Sequence, residues 1–346
     1  MDGERQPSER QRQILRQVVE EHVATGEPVG SKSVVERSGL AVSSSTVRND
    51  LADLEARGLL THPHTSAGRV PTEDGYRFYA DELLARPEPR PQRFPLDLAE
   101  GRDEMEVALR STTEMLAQVT RLLALVSAPP IQTATVRHVE VIQLKPSVVM
   151  VVCITSTGGV TKRAFTFEHP VDPGIASWAN EYLNERLDGV GLGTSTLRRR
   201  FEDPGLSTGE RRFLDALRPA FVDVVADQEQ GLYVGGAASL LDDVRADELE
   251  ACRRLLSVLE RRAAALELMA GTIAPRRPFV RVGVQLEGEA MPDVAFVGAT
   301  YGLQHRTLGA VGLLGPVRMD YEKALRTARA AAAELSRFVE DVYEES

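Results

Sequence analysis

The sequence predicts an α+β protein: a small helical module followed by a larger mixed domain. Three observations carry this. Helical periodicity with capping residues fills most of the stretch from Glu9 to Leu84, broken by one short extended pair. A proline-rich break follows at 86–95. Beyond it, two groups of strand patterns bracket a long helical stretch, the layout of a sheet domain interrupted by a helical insertion.

Glu9 to Val23 carries Ile14, Leu15, Val18, Val19 and Val23 on one helical stripe, stopped by Thr25-Gly26-Glu27-Pro28. Ser31 caps a short second helix with Val34 and Val35, and Gly39 ends it where a left-handed residue is wanted. Ser43-Ser44-Ser45 offers N-cap oxygens for a third helix, with Val47, Leu51 and Leu54 as its core face and Gly58 at its end. Leu59–His62 and Arg69–Pro71 read as extended pieces around a turn-rich loop, and Thr72–Leu84 as a closing helix. Helix, short helix, turn, helix and two-stranded wing make the plan of a winged helix-turn-helix.

Prolines 87, 89, 91 and 95, interleaved with arginines, predict a stiff extended linker and the clearest domain boundary. Asp97–Val126 then reads as one long helix, with Leu109, Thr112, Leu116, Val119, Leu123 and Val126 spaced by three and four. Strands are expected at Val139–Leu144, Val148–Thr155 and Val160–Glu168, the last two joined at Gly158-Gly159. Ile175–Met269 reads as almost wholly helical. Strands return at Val280–Leu286, Ala295–Tyr301 and Ala310–Leu314, and a final helix spans Tyr321–Val342. The expected domains are 1–86 (winged helix), 87–96 (linker), 97–180 with 271–346 (sheet domain) and 181–270 (helical insertion).

At 346 residues, 42% hydrophobic and 27% charged, the chain has an ordinary globular composition. Its longest apolar stretch, around Val148–Ile154, is about a third of a membrane span. No apolar leader segment is visible at the N-terminus, and two cysteines, Cys153 and Cys252, fit a reducing, cytoplasmic setting. The net charge of −10 excludes coating nucleic acid by bulk charge, yet its distribution leaves room for a local grip. Residues 1–86 hold 11 Lys+Arg against 14 Asp+Glu, and no acid lies between Arg57 and Thr72.

On a helical wheel centred on Val47, Leu51 and Leu54, the outward side of the third helix is Ser45, Thr46, Asn49 and Ala52, with Arg48 on the flank. Short polar side chains let a helix sit deep in a major groove; Asn suits adenine, and Arg suits guanine or phosphate. The helix start at Ser43, Ser44 and Ser45 offers amides to a phosphate. On the wing, His64, Thr65, Ser66 and Arg69, with His62 beside them, are placed to reach an adjacent groove or backbone. The same three-helix plan also serves protein–protein contacts.

No enzyme signature competes. His62 and His64 lack an acidic or thiol neighbour in sequence, and Gly158–Lys162 and Gly231–Gly236 lack phosphate-loop and dinucleotide spacing. Cys153 sits in an apolar strand as a core residue, and Trp178 with Tyr182 reads as core packing rather than a pocket. No catalytic residue, cofactor or metal ligand is expected.

Three motifs carry a family resemblance: Pro28–Lys32 with Ser45–Leu51; Gly68–Arg77; and Gly312–Tyr321, with Tyr233–Ala237 as a weaker fourth. In this order, across essentially the whole chain, they closely resemble the HrcA-type heat-inducible transcription repressors. The resemblance implies a repressor of chaperone operons that binds an inverted-repeat operator in double-stranded DNA as a homodimer. It implies a GAF-like central domain interrupted by a dimerising helical insertion, with Ser43–Asn49 and the wing on the DNA. It also implies dependence on the GroE chaperonin for the active form. Because GAF-like folds often bind small molecules, a ligand-sensing regulator is the alternative.

An inverted repeat requires a two-fold partner. Leu249, Cys252, Leu256, Leu259, Ala263, Leu266 and Ala270 repeat in steps of three and four, as a dimer seam does. A helix packed on its own domain has the same spacing.

Overall fold

The structure is a computed structural model; it describes residues 6–63, 68–87, 94–96, 105–129, 135–156, 159–192, 194–222, 231–242, 248–261, 265, 268–269, 277–286, 289–303 and 306–344. The N-terminal module runs α1 (Glu9–Thr25), α2 (Ser31–Ser38), α3 (Ser44–Ala56), β1 (Leu60–Thr61), β2 (Val70–Pro71) and α4 (Glu73–Ala85). A capping box opens α1: the Gln11 amide donates to Ser8 Oγ, and the Ser8 amide to the Gln11 side chain. Ile14, Leu15, Val18 and Val19 then meet Val34, Val47, Leu51 and Leu54 in one core. Gly39, at φ 64°, takes the left-handed turn that separates α2 from α3. Gly75 is needed for closeness: a Cβ there would lie 2.1 Å from the Leu59 carbonyl oxygen, so α4 could not start against the ribbon.

The body is built on a five-stranded sheet, ordered β7-β3-β10-β9-β8 and antiparallel throughout. Its strands are β3 (Leu123–Ser127), β7 (Leu232–Gly235), β8 (Phe279–Leu286), β9 (Glu289–Leu303) and β10 (Arg306–Pro316). Alternation assigns the two faces. Ala124, Val126, Val297, Val311 and Leu313 share a core with α5 (Met105–Thr120) and α12 (Tyr321–Glu344). Leu123, Leu125, Phe296 and Leu314 share the other with α10 (Ala237–Asp242) and α11 (Leu249–Glu260). Both faces are buried, so β3 is apolar at four successive positions.

That burial corrects the long helix expected over 97–126. The chain leaves α5 at Thr120, turns through Arg121 in the left-handed region (φ 57°) and enters β3. Leu122–Val126 continues the helical spacing only because every residue in the run is apolar; a strand covered on both faces reads the same way. β7 is likewise a strand inside the stretch expected to be helical.

A second sheet stands apart: β4 (Val136–Lys145), β5 (Val148–Thr155) and β6 (Val160–Thr166), in that order. The helices α6 (Pro173–Leu187), α7 (Ser195–Arg200), α8 (Thr208–Leu217) and α9 (Pro219–Val222) close over it. Val139, Val151, Cys153, Leu183, Phe213 and Phe221 form its separate core. Asn184 and Asn180 of α6 accept hydrogen bonds from the Val139 and Val141 amides at 2.8 Å, which caps the edge strand β4. Trp178 and Tyr182 stack with ring centroids 5.2 Å apart on the rim of this core. The departure from the main sheet therefore lies between β3 and β7 and takes three strands with it, rather than starting at 181. Within the stretch expected as the insertion, β7, Leu240, α11, Leu268 and Met269 belong instead to the main sheet and its second face.

Of the expected linker, residues 88–93 lie outside the described residues, and Phe94 is buried in the core that joins the module to the body. That joint centres on Tyr321 at the start of α12. Tyr76 and Tyr79 of α4 pack against it, with ring centroids 6.0 and 6.3 Å away, and Arg77 Nη2 donates to the Val282 carbonyl at 3.2 Å. Two motifs remote in sequence, Gly75-Tyr76-Arg77 and Met319-Asp320-Tyr321, thus meet in space.

Candidate nucleic-acid interface

α3 has two unlike sides. Val47, Leu51 and Leu54 are buried and Ser45, Arg48, Asn49 and Ala52 are exposed, in line with the helical wheel, while Thr46, expected outward, is half-buried. Ser43 is the N-cap: its Oγ accepts from the Thr46 amide at 3.2 Å and lies 2.7 Å from Ser45 Oγ and 3.0 Å from Thr46 Oγ1. Ser44 is turned toward α2, its Oγ 3.0 Å from that of Ser31. The result is a run of hydroxyls at the positive end of a 13-residue helix, the arrangement that receives a phosphate.

Two of the three acids of α3 are held by α1. Asp50, buried, accepts from Arg10 Nε at 2.8 Å and Arg10 Nη2 at 3.2 Å. Asp53 accepts from Gln11 Nε2 at 3.3 Å. Arg10 and Gln11 thus fix the roll of α3 about its axis and draw these two carboxylates toward α1. Neither contact is visible in sequence, because the partners lie 40 and 42 positions apart.

The ribbon is anchored in a way the sequence reading missed. Glu55, near the end of α3, hydrogen-bonds His62 Nδ1 through one oxygen and forms an ion pair with Arg69 through the other, 3.0 Å from Nε but not aligned as a hydrogen bond. His62 therefore has an acidic partner, seven residues back and across the turn. Arg69 was expected on the DNA; its side chain is only 17% exposed against Glu55, and its backbone exchanges two 2.8 Å hydrogen bonds with Val29. It braces the ribbon to α3 and to the α1–α2 connection. His64, Thr65 and Ser66 lie outside the described residues.

The expected dimer seam divides. On α11, Cys252 is 2% exposed and packs with Leu255 and Val258 against the main sheet; Leu256 and Leu259 are half-buried, and Leu249 is 61% exposed. The helix is packed on its own domain, and spacing by three and four serves that purpose equally well. Ala263, Leu266 and Ala270 lie outside the described residues.

Burial pushes the Cys153 thiol up to about 11 and raises that of Cys252, so both are protonated packing groups at neutral pH. Among the described residues, no helix is long and apolar enough to cross a membrane.

Comparison with known proteins bears on the whole chain. A family model described as the HrcA protein C terminal domain matches residues 106–325. The heat-inducible transcription repressor HrcA of Mycolicibacterium smegmatis is 37% identical over 333 residues, covering 94% of this chain and 96% of that protein. That of Nocardia farcinica is 35% identical, with 97% of each chain covered. A crystal structure of a hypothetical protein superposes with a TM-score of 0.60 at 23% identity, covering 97% of this chain and 99% of the other, a likeness of fold.

Proposed function

The chain belongs to the HrcA family of heat-inducible transcription repressors, and from that premise we propose that it represses heat-shock operons by binding a chaperone-operon operator through α3. Its family is one of repressors, not enzymes. The N-terminal module acts as a winged helix-turn-helix: α3 enters the major groove, with Arg48 and Asn49 toward base edges and Ser43, Ser45 and Thr46 toward a phosphate. The observation that carries this reading is the exposed Ser45–Arg48–Asn49–Ala52 face, set on a helix whose Asp50 is bound away by Arg10.

One such module offers too little surface for tight specific binding, so the active species is a cytoplasmic homodimer on an inverted repeat. In this reading the body is the GAF-like domain of the family, and the GroE chaperonin maintains the active form. The resemblance supports those two points.

The test is a footprint on DNA upstream of the host's own chaperonin operon, with and without chaperonin. Wild-type protein protects a two-fold site, and the double variant Arg48→Ala, Asn49→Ala loses protection while keeping its sedimentation behaviour. An unchanged footprint in that variant removes α3 from the interface. Absence of any footprint for the wild type returns the module to a protein–protein role.

A further inference from the structure

A cavity of about 240 Å³ lies where the N-terminal module meets the body. Val23 of α1 forms part of one wall; the end of α5, Cys252 of α11 and the first turn of α12 form the others. Its charged lining is Arg121, Arg318 and Lys323 against Glu248 and Asp320, three cations to two acids.

Arg318 is the centre of interest. Its side chain is only 7% exposed. Nη2 donates to Glu248 Oε1 at 2.7 Å, yet Nη1 is buried and has no hydrogen-bond acceptor. Buried donors are nearly always satisfied, and a guanidinium is a planar fork whose two faces of nitrogens can each hold an oxyanion. Here Nη2 holds Glu248 and Nη1 is unused. Arg121, at the cavity's edge, has a left-handed backbone, rare for a residue with a side chain and a conformation that clusters at binding sites. Asp320 already accepts from the Lys323 amide at 2.9 Å, which occupies that amide and one carboxylate oxygen.

We propose that this cavity binds a small oxyanion, a carboxylate or a phosphate, through Arg318 Nη1, with Lys323 and Arg121 as the further cations. The excess of one positive charge suits an anion, and the guanidinium–oxyanion pair is short and directional. The volume lies below the range of drug-sized pockets and restricts the ligand to a small molecule. Val23 belongs to the DNA-binding module and Arg318 to the body, so occupancy couples the docking of that module to the concentration of the anion. The inference goes beyond the operator reading and does not rest on it.

The experiment is calorimetric titration of the full chain with inorganic phosphate and, separately, with malonate, each against chloride at matched ionic strength. Saturable binding of either anion is expected, with a melting temperature raised on the order of 5 °C at a hundredfold excess over Kd. Arg318→Met removes the binding, and Lys323→Met weakens it by roughly tenfold, the loss of one charge-assisted contact. The stronger of the two anions identifies the headgroup. No saturable binding of either anion to the wild type overturns the proposal, and so does equal binding by the Arg318→Met variant. Should that variant fail to fold, the wild-type isotherm and Lys323→Met decide: an unchanged Kd in the latter places the anion elsewhere.

Discussion

Two helices of the N-terminal module, α3 and α4, are both 13 residues long, and both open on a side-chain cap. They spend their surfaces differently. α3 buries one stripe and leaves Ser45, Arg48, Asn49 and Ala52 in solvent; α4 buries Tyr76, Tyr79, Ala80 and Leu83 and seats the whole module on β8 and Tyr321. The same secondary structure thus leaves a polar face open on one side of the module and supplies attachment on the other. Exposed polar groups on α3 are inexpensive for the fold to keep, whereas every aromatic on α4 is bound into a core. Substitutions should therefore separate binding from stability according to which helix they touch.

The largest effect is expected at the attachment. Tyr321→Ala removes a ring buried between Tyr76 and Tyr79 and should lower unfolding stability by about 3–5 kcal/mol. Urea denaturation followed by a probe in each part should then resolve two transitions where the wild type shows one. Leu54→Ala, on the inner stripe of α3, should cost about 2–4 kcal/mol, which separates that stripe from the outer one. Arg48→Ala and Asn49→Ala should each weaken operator binding by about 1–3 kcal/mol in a gel-shift titration. Their unfolding midpoints should stay within about 0.5 kcal/mol of wild type. If either destabilises the fold as Leu54→Ala does, the contrast between the two sides of α3 fails.

The caps sharpen the comparison further. Ser43 Oγ accepts from the Thr46 amide at 3.2 Å, and Thr72 Oγ1 from the Gly75 amide at 3.1 Å. Ser43→Ala and Thr72→Ala should each cost about 1 kcal/mol of stability, and only the first should also weaken DNA binding. The smallest effect is a thiol readout. Cys153 is raised to about 11 from an ordinary 9.0. The folded protein holds a proton that the unfolded chain loses across that window, so stability falls as pH rises from about 9 to about 11. At pH 8, a thiol reagent should leave Cys153 unlabelled in every α3 variant.

What could be read in advance follows the range of the forces involved. The inner and outer stripes of α3 are amphipathicity, a property of neighbouring residues, and the structure agrees at Val47, Leu51, Leu54, Arg48 and Asn49. The Arg10–Asp50 pair and the Glu55–His62–Arg69 anchor are contacts between elements, and no local pattern announces them. Arg69 shows the limit, since a cation on a ribbon looks the same in sequence whether it faces solvent or a carboxylate. In the body, strands β4–β6 and β8–β10 were legible as strands, but not which sheet each joins. Leu122–Val126 fell to a similar ambiguity, since apolar residues at helical spacing also fit a doubly covered strand; at Cys252–Leu259 the spacing of a helix lying on its own sheet is also that of a seam.

The tyrosine joint has a bearing on how the chain is made. Tyr76 and Tyr321 are 245 residues apart, and synthesis at about 5–20 residues per second separates their appearance by roughly 12–50 s. During that interval α1–α4 has left the ribosome without its seat, and the faces of Tyr76 and Tyr79 that Tyr321 covers stay exposed. Nascent repressor is thus an exposed-surface species for most of its synthesis, and release of Tyr321 is the event that closes it.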